Sequence, residues 1–193
     1  MKKIGLLFVV FSQIAIAQTF TKIDTLKGSD TKYRNFWDVK KYRLSVEPNF
    51  QDKSLKGSNK IEFTITQDIL NPTFQIDLQQ PMKVEKLIAS FPTIDGFKRD
   101  GDFIYINAKK KFKKGEKYTI DIDYSGNPRI AKRAPWDGGW VFTTDKQGNP
   151  WVTVAQEGDG TSLWLPSKDI WNDEPDNGVE MKIITSKDLT GVG

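Results

Sequence analysis

The most informative stretch of this sequence, YTIDIDY at residues 118–124, alternates strictly between apolar and polar residues. In an extended chain Tyr118, Ile120, Ile122 and Tyr124 lie on one side, while the intervening aspartates lie on the other. This two-residue period is typical of a β-strand with one buried face. We therefore predict a half-buried strand here, with its acidic side turned to solvent and not forming a catalytic pair.

The same alternation recurs along most of the chain. It is clearest at residues 42–46, 61–65 and 74–78, and it continues at 84–89, 103–107 and 179–183. Turn-forming Gly, Pro, Asn and Asp separate these stretches, and no apolar stripe of helical period and length appears between them. The pattern predicts an all-β fold, an antiparallel β-sandwich over residues 36–193. Because no further strand follows residue 183, we expect the sandwich to be incomplete at its C-terminal end.

The first 35 residues differ from the rest. Residues 1–17 combine Lys2 and Lys3, an apolar run from Ile4 to Phe11, and the small-residue cleavage pattern Ala15-Ile16-Ala17. This arrangement predicts a signal peptide, and the apolar run is too short to span a bilayer. We expect an exported protein, periplasmic, on the cell surface or secreted, with no transmembrane segment after cleavage. Residues 18–35 are polar and predict a flexible lead-in.

Composition limits the chemistry available to the chain. Its 193 residues include no histidine and no cysteine, so imidazole and thiol groups cannot serve as bases, nucleophiles or metal ligands. The net charge of +4 is too small to indicate a nucleic-acid partner. The lysine run at residues 109–114 precedes a predicted strand and is interpreted as a solvated loop. The acidic residues between Asp169 and Asp176 match no complete calcium loop and favour a structural turn.

Five of the six tryptophans fall between Trp136 and Trp171, among glycines, prolines and acidic residues. Two interpretations of this cluster stay open. Tryptophans fill cores and domain interfaces, and they also form the aromatic platforms that bind sugars.

A series of motifs gives the chain a resemblance to a known family. They are PWDGGW at 135–140, NPW at 149–151, LWLPSKD at 163–169, DEPD at 173–176, and the strand-flanking stretches at residues 38–44, 55–63 and 113–118. Together they resemble the amino-terminal domain of the aminopeptidase N family, the gluzincin zinc metallopeptidases. The resemblance implies a saddle-like β-sandwich followed by a catalytic domain whose His-Glu-x-x-His motif binds zinc. This chain contains no such motif, so we expect zinc only in an intact parent enzyme, with no catalytic residue and no metal ligand here.

The resemblance also implies one substrate-binding position. In the family, a Gln or Glu of the sandwich domain, nine residues before the Pro matched here by Pro166, holds the free α-amine of the substrate. That position is Glu157, with Gln156 as its neighbour. The implied function is one wall of the peptide cleft of an exported aminopeptidase, with a peptide substrate as partner through the missing catalytic domain. The alternative is a non-catalytic extracellular module that binds glycan or peptide.

Overall fold

The computed structural model describes residues 21–193, and the predicted signal peptide lies outside these residues. One short helix, α1 (Lys22–Gly28), precedes the strands. The strands are β1 (Trp37–Asn49), β2 (Ser54–Ile65), β3 (Ile69–Leu70), β4 (Thr73–Asp77), β5 (Lys83–Ala89), β6 (Thr93–Asp100), β7 (Phe103–Ala108), β8 (Lys111–Phe112), β9 (Lys117–Gly126), β10 (Gly139–Thr144), β11 (Pro150–Ala155) and β12 (Val179–Ile183). Across residues 21–193, no helix has both the length and the apolar character that a membrane crossing requires.

Five strands form the main sheet, in the order β12-β1-β2-β9-β5. Smaller sheets, β4-β7-β6, β3-β8 and β10-β11, complete the fold. The prediction of an all-β sandwich is confirmed. One pairing differs from the purely antiparallel expectation, since β12 runs parallel to β1, with Tyr42 opposite Val179. A parallel neighbour needs a long crossover, and the chain between β11 and β12 supplies it.

The predicted inward and outward faces of β9 are also confirmed. Ile120, Ile122 and Tyr124 are buried, whereas Asp123 is exposed. Their side chains join a core dominated by aromatic rings, in which Phe74 contacts Phe36 at 4.8 Å and Phe91 at 4.9 Å between ring centroids. Aromatic pairs at these separations stabilise a core beyond the area they bury.

The lysine run at residues 109–114 combines a buried anchor with exposed charge. Phe112 is fully buried, and the two-residue strand β8 that contains it pairs with β3. The lysines on either side of Phe112, Lys111 and Lys113, stay exposed, in line with the predicted solvated loop.

Gly57 of β2 lies directly against the ring of Tyr124 on β9. A Cβ atom at Gly57 would be 2.4 Å from the Cζ and hydroxyl atoms of Tyr124. Only glycine therefore leaves room for this buried ring against the neighbouring strand.

The chain before β1 carries structure that its polar composition does not reveal. Thr21 and Asp24 form a reciprocal capping box at the start of α1. Beyond the helix, Arg34 is fully buried and forms an ion pair with Asp77 of β4, and its guanidinium donates to the Lys27 carbonyl at 3.1 Å. Part of the predicted lead-in thus contributes a core contact.

Asp77 itself is buried, and Gln75 donates to its Oδ1 at 3.0 Å. Burial raises the pKa of Asp77 to about 7, because the nearby Arg34 and Gln75 offset only part of the cost of removing the carboxylate from water.

Candidate functional site

The predicted amine-binding position lies on a tight turn that follows β11. The Gln156 carbonyl accepts hydrogen bonds from the backbone N–H groups of Asp159, at 3.2 Å, and Gly160, at 3.1 Å. Gly158 and Gly160 have φ values of 73° and 79°, in the left-handed region that favours glycine. Glu157 is exposed, and within residues 21–193 its carboxylate has no hydrogen bond or ion pair, while Gln156 is half-buried beside it.

Asp159 fixes this turn to the rest of the protein. Its carboxylate accepts a hydrogen bond from the Gly138 N–H at 3.0 Å and forms an ion pair with Arg129, and its carbonyl accepts from Gln79 Nε2 at 2.7 Å. A Cβ atom at Gly138 would be 2.5 Å from the Asp159 carboxylate. The PWDGGW motif therefore needs glycine at this point, because its backbone is the partner of Asp159.

The segment after the turn is anchored between the sheets. Its short 3₁₀-helix (Thr161–Leu163) places Ser162, whose carbonyl accepts from the Gln79 N–H at 2.7 Å. Ser167 exchanges two backbone hydrogen bonds with Asp77, at 2.8 and 3.0 Å, and the Pro166 carbonyl accepts from Asn59 Nδ2 at 2.9 Å. The LWLPSKD motif, which begins six residues after Glu157, thus serves as a rigid base for the turn that carries Glu157.

A buried ion pair closes the other end of this segment. Lys168 Nζ pairs with Asp173, donates to the Trp37 carbonyl at 2.5 Å and lies 4.8 Å from the centroid of the Trp37 ring. Both charged side chains are only 4% exposed. Burial lowers the pKa of Lys168 and raises the pKa of Asp173, and the attraction between them opposes both shifts.

Two other acidic residues of this region, Asp169 and Asp176, also have structural partners. Asp176 pairs with Lys40, and Asp169 accepts from the Ser162 N–H at 3.0 Å. Within residues 21–193 no group of three His, Cys, Asp or Glu side chains is placed to hold a metal ion.

The tryptophan cluster divides into two kinds of residue. Trp140 and Trp164 are buried and meet edge to face, with ring centroids 5.4 Å apart. Trp136, Trp151 and Trp171 are exposed, by 77%, 58% and 93%. Each of the two interpretations drawn from the sequence thus fits part of the cluster.

Several residues that shape the site were not predicted from the sequence. Gln79, Arg129 and Asp159 fix the turn that carries Glu157, yet none belongs to a recognisable motif. Their partners are up to 83 residues away along the chain, so no local pattern reports them. The only sequence signals are two neighbouring glycines. Gly138 leaves room for the Asp159 carboxylate, and Gly160 leaves room for the Asp169 carboxylate.

Comparison with known proteins gives structural matches only. The sequence matches no protein-family profile and no curated protein sequence. The structure is similar to a mutant M1 zinc metallopeptidase from Deinococcus radiodurans bound to a Tyr-Ser-Ala substrate, with a TM-score of 0.59 and 17% identity over 82% of this chain and 34% of that one.

A two-domain M1 zinc metallopeptidase mutant bound to L-arginine has a TM-score of 0.57 at 13% identity, over 84% of this chain and 35% of that one. This chain thus spans about a third of the length of the metallopeptidases it matches. The structural similarity shows that this chain has the same fold as a region that makes up 34% of the M1 zinc metallopeptidase from Deinococcus radiodurans.

Proposed function

We propose that this chain forms one wall of the peptide cleft of a zinc aminopeptidase, where Glu157 holds the free α-amine of the substrate. The observation that carries the proposal is the exposed carboxylate of Glu157, which has no partner among residues 21–193, on a turn held by Asp159 and Gln79. The fold likeness to an M1 metallopeptidase bound to a tripeptide supports the same role.

The chemistry of Glu157 suits an amine ligand. An ammonium group gives a carboxylate a charge-assisted hydrogen bond, about twice as strong as one between neutral groups. Because Glu157 has no cation among its described neighbours, it can make this bond without losing another. Gln156 is the preceding residue, and the oxygen of its side-chain amide can accept a hydrogen bond from a second N–H of the same ammonium group.

Zinc does not fit the residues of this chain. The sequence has no histidine or cysteine, and residues 21–193 place no three candidate ligands together. Metal and catalytic groups would come from a domain encoded with this one, whereas this chain contributes binding and orientation of the peptide. We further propose that the protein is exported through residues 1–17, so that the mature chain begins at Gln18.

A titration of the purified chain tests the proposal. We expect alanine amide with a free amine to shift the backbone NMR resonances of residues 156–160, whereas its N-acetylated form causes no shift. The variant Glu157→Gln should lose the response, and Asp123→Asn, which alters an exposed acid on β9, should keep it. A response of equal size to both ligands would refute the amine-binding role. In the parent enzyme, Glu157→Gln should raise KM for unblocked peptides.

The exposed tryptophans support a second candidate, a glycan-binding module. Trp136, Trp151 and Trp171 present apolar rings to solvent, as sugar-binding platforms do. This candidate predicts quenching of tryptophan fluorescence by soluble glycans. An unchanged emission spectrum across a glycan panel would exclude it.

A further inference from the structure

The face of β4 that turns away from the aromatic core is polar and yet buried. Three side chains at alternate positions along the extended chain lie on this face, and we call them the polar row: Gln75, Asp77 and Gln79. They are only 0%, 1% and 8% exposed, in that order. Buried polar groups need hydrogen-bond partners, and the partners of this row lie on two irregular segments that cover it.

The first two members of the row hold the amino-terminal segment, residues 21–35, which we call the latch. The side-chain Nε2 of Gln75 donates to the Leu26 carbonyl at 3.1 Å. The carboxylate of Asp77 forms its ion pair with Arg34, the one residue of the latch whose side chain is described as buried. The latch therefore docks on the row through a backbone carbonyl and a guanidinium group.

The latch adds little apolar burial to the fold. Ile23 of α1 is 59% exposed, and Tyr33 is half-buried against Tyr105, with ring centroids 5.5 Å apart. Segments with few buried apolar contacts open at a lower free energy than the core does. Docking of the latch thus depends mainly on its polar contacts with the row.

The last two members of the row hold the segment that follows β11. Gln79 Nε2 donates to the Asp159 carbonyl at 2.7 Å, within the turn at residues 156–160. The backbone of Asp77 exchanges two hydrogen bonds with Ser167, at 2.8 and 3.0 Å, and this bridge lies outside the strands. Asp77 is therefore common to both attachments, because its side chain holds the latch and its backbone holds the other segment.

Release of the latch changes the surroundings of Asp77. Its carboxylate is 2% exposed and loses the Arg34 guanidinium when the latch departs. A buried charge without its partner is strongly unfavourable, so the carboxylate must then turn towards water. The backbone of the same residue makes the bridge to Ser167, and that isolated bridge has no neighbouring residue pair to keep its register.

We propose that docking of the latch on the polar row holds residues 156–167 in place, so that release of the latch loosens the turn that carries Glu157. Two segments far apart along the chain are then coupled through three adjacent side chains. The coupling concerns the order of the turn and does not depend on what Glu157 binds.

Amide hydrogen exchange of the purified chain, followed by NMR at one pH, tests the coupling. The Gln75 N–H donates to the Tyr33 carbonyl at 3.3 Å and reports docking of the latch, whereas the Ser167 N–H reports the bridge to Asp77. Arg34→Met removes the guanidinium. We expect exchange at least about tenfold faster at residues 75 and 167, against less than about threefold between β2 and β9.

A second variant tests the coupling from the opposite end. Gln79→Met removes the donor to Asp159 without changing any charge, and because coupling is reciprocal it should also speed exchange at residue 75 severalfold. Ile120→Val, in the core on β9, is the matched control. It should leave exchange at residues 75 and 167 unchanged relative to the amides between β2 and β9.

Each outcome decides a part of the proposal. In Arg34→Met, faster exchange at residue 75 alone would overturn the coupling, and unchanged exchange there would overturn the latch. A similar selective acceleration by Ile120→Val would overturn both, because it would reflect general destabilisation. If Arg34→Met does not fold, Gln75→Met replaces it, since that variant loses the Leu26 contact and keeps the ion pair. Unchanged exchange at residue 167 in Gln75→Met, with unchanged exchange at residue 75 in Gln79→Met, would overturn the proposal.

Discussion

Replacement of Lys168 by methionine leaves the Asp173 carboxylate buried without a cation. Both side chains are 4% exposed, so solvent compensates little for the loss. Breaking a buried pair by removing one partner destabilises a protein by about 3–5 kcal/mol. The variant also loses the hydrogen bond to the Trp37 carbonyl and the contact with the Trp37 ring. We expect Lys168→Met to lower the free energy of unfolding by about 4 kcal/mol, within this range.

Urea denaturation followed by tryptophan fluorescence measures this loss. With a slope of about 2 kcal/mol per molar urea, the transition midpoint should fall by about 2 M. Lys187→Met, at an exposed lysine without an ion pair in the described chain, is the matched control and should change stability by less than about 0.5 kcal/mol. The double variant Lys168→Met with Asp173→Asn should recover part of the loss, because the stranded charge is removed.

The pH dependence of the same variant checks its cause. Burial raises the pKa of Asp173 even with Lys168 present, and loss of that cation raises the pKa further. A carboxyl group whose pKa is higher in the folded state costs stability while it is ionised, so the deficit of Lys168→Met should shrink as the pH falls through the raised pKa of Asp173 towards the ordinary aspartate value of 3.8. A loss below about 1 kcal/mol at neutral pH, typical of a solvated pair, would refute the reasoning.

Three further predictions follow from particular contacts. Gly57→Ala should lower the free energy of unfolding by about 1–3 kcal/mol, because the new methyl group displaces the buried Tyr124 ring. Gly28→Ala is the control and should be tolerated, because there is open space around Gly28. Urea denaturation of both variants measures the difference. Burial raises the pKa of Asp77 to about 7, so the folded chain binds more protons than the unfolded chain between about pH 4 and 7. The free energy of unfolding should therefore fall as pH rises through that window, and Asp77→Asn should flatten this slope in urea titrations; an unchanged slope would contradict it. Trp140→Ala should cost about 3–5 kcal/mol and remove the near-ultraviolet circular dichroism signal of its edge-to-face contact with Trp164; retention of that signal would count against the packing described.

The strands were predictable because their pattern is local. In β9 the buried residues Ile120 and Ile122 alternate with aspartates, so the sequence alone reports which face is inside. The burial of Arg34 could not be predicted in this way. Its partner, Asp77, is 43 residues away, and only the tertiary fold brings the two charges together. The parallel pairing of β12 with β1 likewise depends on the path of the crossover and not on the composition of either strand.

The candidate site was predictable only in part. The position of Glu157 came from a resemblance, and its role remains a prediction. The features that hold the turn came only from the structure, since Asp159 reaches Arg129 and Gly138 across two loops. The division of the tryptophans also needed coordinates, because Trp140 and Trp151 stand on paired strands and differ only in which face each presents.

The pairing of the first strand with the last has a consequence for how the chain emerges during synthesis or export. Strand β1 joins β2 through a short turn, but within residues 21–193 its second edge pairs only with β12, some 137 residues later. Until residues 179–183 have left the ribosome or the translocation channel, that edge stays open to strands of other nascent molecules. Holdase chaperones that occupy β1 in this interval should therefore raise the yield of folded protein.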